Sequence, residues 1–245
     1  MTYCVGLRLN RGLVFMSDTS TNAGLDNIST FRKMTTWHVP GERVLTLMAA
    51  GNLATTQAVV SLLDERTKAP DDRDPTILGV PSMFQAAQLV TETLYEVVQK
   101  HADGGQRADS KFHATLILGG QVAGGPPRLF LIYPEGNFIE AGDDTPYFQI
   151  GEMKYGRPIL VRAYDPEMSF EEAMKLLMVS FDSTLKANLT VGMPFDYHCY
   201  EEGSLTVGPT GRIERDDPYF DAISQGWGDA LKSALDSLDN FDLGS

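Results

Sequence analysis

The sequence predicts an α+β fold, with residues 1–245 forming one domain. Three observations carry that expectation. Strand-like and helix-like segments fall in blocks: strands, two helices, strands, a helix, strands and a tail. Strict β-α-β alternation, the mark of a parallel doubly wound sheet, is missing. The chain has 245 residues, 42% of them hydrophobic, and neither an internal repeat nor a linker divides it, so one sizeable core is expected.

Each element has its own justification. Thr2 to Leu9 is a β-branched and aliphatic run, Asn10-Arg11-Gly12 a turn signal, and Leu13 to Met16 a second apolar run closing on Ser17-Asp18-Thr19. This predicts a hairpin beginning at residue 2. Arg32 to Val39 and Arg43 to Ala50 form a second hairpin around Pro40-Gly41, broken by Gly51-Asn52. Apolar residues at 53, 54, 58, 59, 62 and 63 then have helical spacing, which predicts a helix over 53–68. An acidic, proline-rich connection follows at 69–80. Ser82 with Gln85 is a capping box for a helix to about His101. After a polar loop at 103–110, strands are predicted at Phe112–Val122, Leu129–Pro134 and Asn137–Ala141. Ser169 with Glu172 caps a helix to about Ala187. Strands at Phe195–Glu202 and Ser204–Val207 close the series. The glycine-rich stretch Gly119 to Gly125 lacks a following Lys-Ser/Thr and a helix, so it reads as a hairpin turn rather than a phosphate loop.

Composition excludes several functions. A formal net charge of −13 argues against nucleic acid or an anionic membrane as partner, since Lys and Arg must supply that attraction. No apolar run reaches the ~18 residues of a membrane span. No signal peptide is visible. Cys4 and Cys199 match neither a disulfide framework nor metal-ligand spacing, and read as reduced thiols of a cytoplasmic protein. His38, His101, His113 and His198 are scattered, so no metal site is expected. No cofactor is expected either.

The first strand poses a chemical question. A threonine hydroxyl is a poor nucleophile unless a base removes its proton, and a free N-terminal amine on the same residue can be that base. Its ordinary pKa of about 7.7–8.0 suits neutral pH. Such a site also needs a cation near the hydroxyl, a group to hold that cation, and backbone donors for the oxyanion. Asp18 ends the second strand and Lys33 begins the third. Gly51 sits at a strand-to-helix junction, where backbone N–H groups are free. Taken singly, each has an ordinary explanation as a strand residue, turn residue or edge charge.

Together, Thr2, Ser17-Asp18-Thr19, Arg32-Lys33-Met34 and Ala50-Gly51-Asn52-Leu53-Ala54 resemble a proteasome-type β subunit, a threonine N-terminal-nucleophile (Ntn) hydrolase. Asp18 follows Thr2 at the family's spacing, and Lys33 comes one residue early, absorbed by the loop between. The order of elements matches over roughly residues 2–208. A start without a propeptide and the tail beyond residue 210 resemble the bacterial branch called Anbu. The resemblance implies a four-layer αββα sandwich of two antiparallel sheets between helices. It implies Thr2 as nucleophile and base, Lys33 as the cation, Asp18 as its partner and the Gly51 N–H as oxyanion donor. Ser20, Asn22 and Leu53 match positions lining the substrate channel and first specificity pocket.

Two positions depart from the family. Its Gly-Ser at a helix start is matched here by Gly151-Glu152, and its Asp-x-x-Ser-Gly by Asn188-Leu189-Thr190-Val191-Gly192. Gly151, Glu152 and Asn188 are thus possible supporting residues, and efficient proteolysis does not follow from the triad.

The tail carries a separate signal. Residues 214–245 hold eight Asp or Glu and two Lys or Arg, a net of −6. Ile223, Trp227, Leu231, Leu235 and Leu238 fall on one helical face, which predicts an acidic helical extension over 210–245. That face can close over its own core or dock onto a neighbour. The expectation is a threonine peptidase or amide hydrolase in a large homo-oligomer, a ring or an open helical ring, on a peptide or amide substrate. The alternatives are an assembly-forming protein with a vestigial site and an Ntn amidohydrolase acting on a small non-peptide substrate. The sequence names no ATPase partner.

Overall fold

The computed structural model describes residues 2–22, 28–68, 75–102 and 112–243, without the side chains of 21, 22, 28, 29, 101 and 102. Met1, the predicted loop at 103–110 and the first half of the predicted connection at 69–80 lie outside the described residues.

The strands are β1 (Tyr3–Leu9), β2 (Gly12–Asp18), β3 (Ser20–Asn22), β4 (Ile28–Thr30), β5 (Met34–Val39), β6 (Arg43–Gly51), β7 (Ala114–Val122), β8 (Arg128–Tyr133), β9 (Asn137–Glu140), β10 (Tyr147–Gly151), β11 (Phe195–Glu201) and β12 (Thr210–Ile213). The helices are α1 (Leu53–Lys68), α2 (Met83–Ala102), α3 (Arg157–Ala163), α4 (Phe170–Ala187) and α5 (Pro218–Asp236). One five-stranded sheet has the order β10-β1-β2-β11-β12 and the other β5-β6-β7-β8-β9; β3 and β4 form a small hairpin. Every pairing is antiparallel.

Alternation along the strands builds the layers. In β1, Tyr3, Val5 and Leu7 face α3 and α4, while Cys4 faces the other sheet. In β2, Val14 and Met16 face those helices, while Leu13 and Phe15 meet Val44, Met48 and Ile117 across the sandwich. The outer face of the second sheet, with Leu45, Leu47, Leu116 and Phe130, is covered by α1 and α2. The result is the αββα sandwich. Both faces of β2 and β6 are buried, which explains why they read as continuous apolar runs rather than alternating ones.

The caps follow the sequence. Ser82 Oγ accepts from Gln85 N at 3.2 Å, and both halves of the Ser169–Glu172 box are formed. Three expectations need correction. The predicted strand Ser204–Val207 is instead a loop: Gly203 and Leu205 have φ of +75° and +47°, values no strand holds. The true partner of β11 is β12, which begins at Thr210. β5 begins at Met34 rather than Arg32, and β7 at Ala114 rather than Phe112. Finally, Gly151-Glu152 does not open a helix: Gly151 ends β10, and α3 starts only at Arg157, where Pro158 fits the first turn.

Candidate active site

The site is built at the end of the sandwich where β1 begins and β2 and β10 end. Asp18, the last residue of β2, is fully buried. Its Oδ1 accepts from Tyr3 N at 2.9 Å and from Lys33 Nζ at 2.7 Å, and Gly192 N approaches Oδ2 at 3.5 Å. Lys33 Nζ also donates to the Ser20 carbonyl at 2.7 Å. These two acceptors fix the ammonium and use two of its three protons. The Lys33 side chain is only 7% exposed and that of Asp18 0%, so this is a buried ion pair rather than a surface one. Burial pushes the Asp18 carboxyl above its ordinary value, and the Lys33 charge and three hydrogen bonds oppose that push.

Thr2 is held through its backbone. Its carbonyl accepts from Glu152 N at 2.7 Å, next to the β1–β10 register pair Tyr3–Gly151. The Tyr3 N–H that follows is spent on Asp18. The Tyr3 ring is buried behind the site, where its hydroxyl bonds Ser180 Oγ and accepts from Gln149 Nε2, both at 2.7 Å. A buried phenol requires such partners.

Gly51 and Gly151 line one cavity of about 420 Å3 with Ala50, Thr115, Tyr133 and Met153. Both glycines are dictated by space. At Gly51 (φ +121°) a Cβ would lie 2.4 Å from the His113 carbonyl oxygen. At Gly151 (φ +83°) it would lie 1.9 Å from the Thr2 carbonyl oxygen. Gly151→Ala should therefore lower stability by at least about 3 kcal/mol and displace Thr2, measurable by urea unfolding. An unchanged midpoint would contradict that close approach.

The remaining predicted residues are placed as follows. Ser20 is buried and gives its carbonyl to Lys33. Asn22 ends β3, paired with Ile28; its side chain lies outside the described residues. Leu53 opens α1, half-buried, and is not among the residues lining the Gly51 cavity. Glu152 is buried, and its Oε2 accepts from Asn188 Nδ2 at 2.8 Å. Asn188 Oδ1 accepts from Thr190 N at 3.0 Å and Thr190 Oγ1 at 2.6 Å. The two departures from the family's pattern thus meet each other in space, a pairing 36 residues apart that sequence does not announce. The contributions of Tyr3, Gln149, Ser180 and Gly192 were also missed; a tyrosine on an apolar strand was the only signal. The Cys4 thiol, two residues after Thr2, is fully buried and pushed up by burial, so it is inert as a nucleophile. Among the described residues no cluster of ligating side chains could hold a metal ion.

This architecture and site define an Ntn-hydrolase fold of the proteasome type. The family model described as proteasome subunit matches residues 2–192, and the chain belongs to that family. It is similar to solved structures of Anbu. An Anbu (Gly-1) mutant from Hyphomicrobium sp. strain MC1 is 50% identical, with a TM-score of 0.91 over 99% of this chain and 100% of that one. Anbu (ancestral beta-subunit) from Yersinia bercovieri is 47% identical, with a TM-score of 0.91 and the same coverage. The structure described as the helical assembly of the Anbu complex from Pseudomonas aeruginosa is 45% identical, with a TM-score of 0.92 over 99% of each chain. A comparison with curated proteins finds no match.

Proposed function

We propose that the chain is a threonine hydrolase of peptide or related amide bonds, with Thr2 as the N-terminal nucleophile once Met1 is removed. The observation that carries this reading is the buried Asp18–Lys33 pair, held beside the Thr2–Tyr3 backbone. A buried ion pair is weak evidence for stability, because desolvation offsets its attraction. A role in holding a cation beside a hydroxyl accounts for it better. The Thr2 amine takes the Oγ proton as Oγ bonds to the carbonyl carbon. The Lys33 ammonium favours the alkoxide, and the Gly51 N–H steadies the oxyanion. The C–N bond breaks, and the leaving amine takes the proton held by the Thr2 α-ammonium. Water then attacks the ester, passing a proton to the Thr2 amine and returning one to Oγ. Ser20, Asn22 and Leu53 would face the acyl side of the substrate. Glu152 and Asn188 would support Thr2 in place of the family's hydroxyls. No metal or cofactor takes part.

The test compares protein whose intact mass shows Met1 removed with protein that retains it, on fluorogenic acyl-peptide amides. Only the former should cleave. With Met1 attached, the Thr2 nitrogen is an amide and cannot act as base. Activity independent of Met1 would sink the mechanism. A second reading has its own support: the exchange at Glu152 and Asn188 fits an assembly-forming protein with a latent site. Absence of cleavage by the Met1-free form would favour it.

We also infer a large homo-oligomer, a ring or open helical ring, working in the cytoplasm on a contained peptide substrate. The Pseudomonas aeruginosa structure is described as a helical assembly, and among the described residues no helix is long and apolar enough to cross a membrane. The tail supports docking onto a neighbour. Asp217 caps α5, and Phe220 anchors it, buried edge-on against Phe195 of β11 at 5.5 Å between ring centroids. Beyond Trp227, however, Leu231, Leu235 and Leu238 are 51%, 71% and 69% exposed. Leu231 lines a cavity of about 460 Å3 together with Ile159, Met168, Leu176 and Trp227. Exposed apolar surface of this kind marks contact sites, and a small change in rotation per subunit opens a ring into a helix. Light scattering at micromolar concentration should give a mass far above the 26.9 kDa chain. Deleting residues 231–245 should change that mass or the particle shape. A monomer would reject assembly, and an unaltered particle would reject the tail's part in it.

A further inference from the structure

A second opening lies at the side edge of the sandwich, between β5 of one sheet and β11–β12 of the other. It is a groove of about 500 Å3 lined by Arg32, Thr36, His38, Asp196, His198 and Arg212, among others. None of the hydrolytic chemistry above uses it.

His198 is its most informative residue. The side chain is fully buried, with Nδ1 2.8 Å from Thr46 Oγ1 and Nε2 without a partner. Among the described residues only Ser17 Oγ shares that orphaned state. Buried polar atoms are rarely left so. Thr46 Oγ1 is also 3.2 Å from Thr36 Oγ1. If Thr36 donates to Thr46, and Thr46 donates to Nδ1, the single ring proton sits on Nε2 as an unused donor. Burial pulls His198 down to about 4, so the ring is neutral near pH 7 and, in that tautomer, carries its one N–H on an atom closed to solvent in this structure.

The charges at the groove narrow the ligand. Arg212 is spent: its Nε and Nη2 grip the two Asp196 oxygens at 2.7 and 3.0 Å. Arg32 is exposed and has no acidic partner among the described residues. The groove therefore presents one uncompensated cation on a chain of net charge −13. A monoanion balances it. A phosphate dianion would leave excess charge beside Asp196. A carboxylate has two oxygens, one for the Nε2 proton and one for the guanidinium.

We propose that this groove binds a small organic monocarboxylate, recognised by His198 Nε2–H and Arg32. Arg32 directly precedes Lys33, so an occupied groove would hold the backbone that carries the ammonium. The site itself does not depend on the hydrolase reading.

The test is a titration of the full-length protein, labelled with 15N at histidine, at pH 7. N-acetylglycine is one probe and inorganic phosphate the other. His198 should show the Nε2–H tautomer and a saturable shift with N-acetylglycine. Arg32→Ala, at an exposed position, should weaken binding roughly tenfold or more, the scale of one lost charge-assisted hydrogen bond. His198→Phe should abolish binding if it folds; if it does not, Arg32→Ala still decides. A proton on Nδ1, no saturable shift, tighter binding of phosphate, or unchanged affinity in Arg32→Ala would each overturn the proposal.

Discussion

Thr2→Ala should remove amide hydrolysis while leaving the chain folded. The reasoning is local. What holds residue 2 is backbone: its carbonyl takes the Glu152 N–H, and the next N–H is given to Asp18. Neither bond needs the threonine side chain. The residue is half-buried and the change deletes only a hydroxyl and a methyl, so stability should move by less than about 1 kcal/mol. The rate should fall by at least about 10⁴-fold, because among the described residues no other hydroxyl at the site carries its own amine as base. Cys4 cannot substitute, buried as it is two residues further along β1. Matched unfolding curves with no cleavage by the variant are the expected pair of results. Residual cleavage near the parent rate would place the nucleophile elsewhere. Rate in the parent should also fall as pH drops through the pKa of the free amine, ordinarily about 7.7–8.0, since protonation removes the base.

The strands that frame this site were legible because two-sided burial makes them apolar throughout, as in β2 and β6, and because Asn10-Arg11-Gly12 and Pro40-Gly41 mark their turns. What was missed has a common cause. β10 is five residues long and carries the polar Gln149, whose role is to bond the buried Tyr3 hydroxyl. α3 is seven residues long, too short for a periodic pattern. β12 was mistaken for its own preceding loop, because Leu205 and Val207 look like strand residues while a positive φ at Leu205 turns the chain. At the site, Asp18, Lys33 and Gly51 were visible as a set only through family spacing. The Glu152–Asn188 contact joins the end of β10 to the C-cap of α4. Such a contact is fixed by how two layers stack, which no local pattern encodes.

Lys33→Ala should abolish hydrolysis and also destabilise the fold, by about 3–5 kcal/mol near neutral pH. With the ammonium gone, the fully buried Asp18 carboxylate keeps, among the described residues, only the Tyr3 and Gly192 N–H groups, the latter at 3.5 Å. Burial already drives this carboxyl above its ordinary value, and removing Lys33 removes the strongest opposing influence. Its folded-state pKa must rise further. The sign of the pH dependence follows. A carboxyl whose pKa is higher folded than unfolded binds more protons in the folded state across that interval, so stability is retained below the unfolded value of about 3.9 and lost as pH climbs through the folded one. The penalty in Lys33→Ala should accordingly be smaller at pH 5 than at pH 8, the reverse of an ordinary salt-bridged aspartate. Asp18→Asn added to Lys33→Ala should recover much of the loss, because a neutral amide oxygen can still accept from Tyr3 N. Urea unfolding of the single and double variants at the two pH values reads all of this. A loss in Lys33→Ala that is the same at both pH values, and that Asp18→Asn does not relieve, would show that the lysine contributes by packing its stem rather than by answering a buried charge.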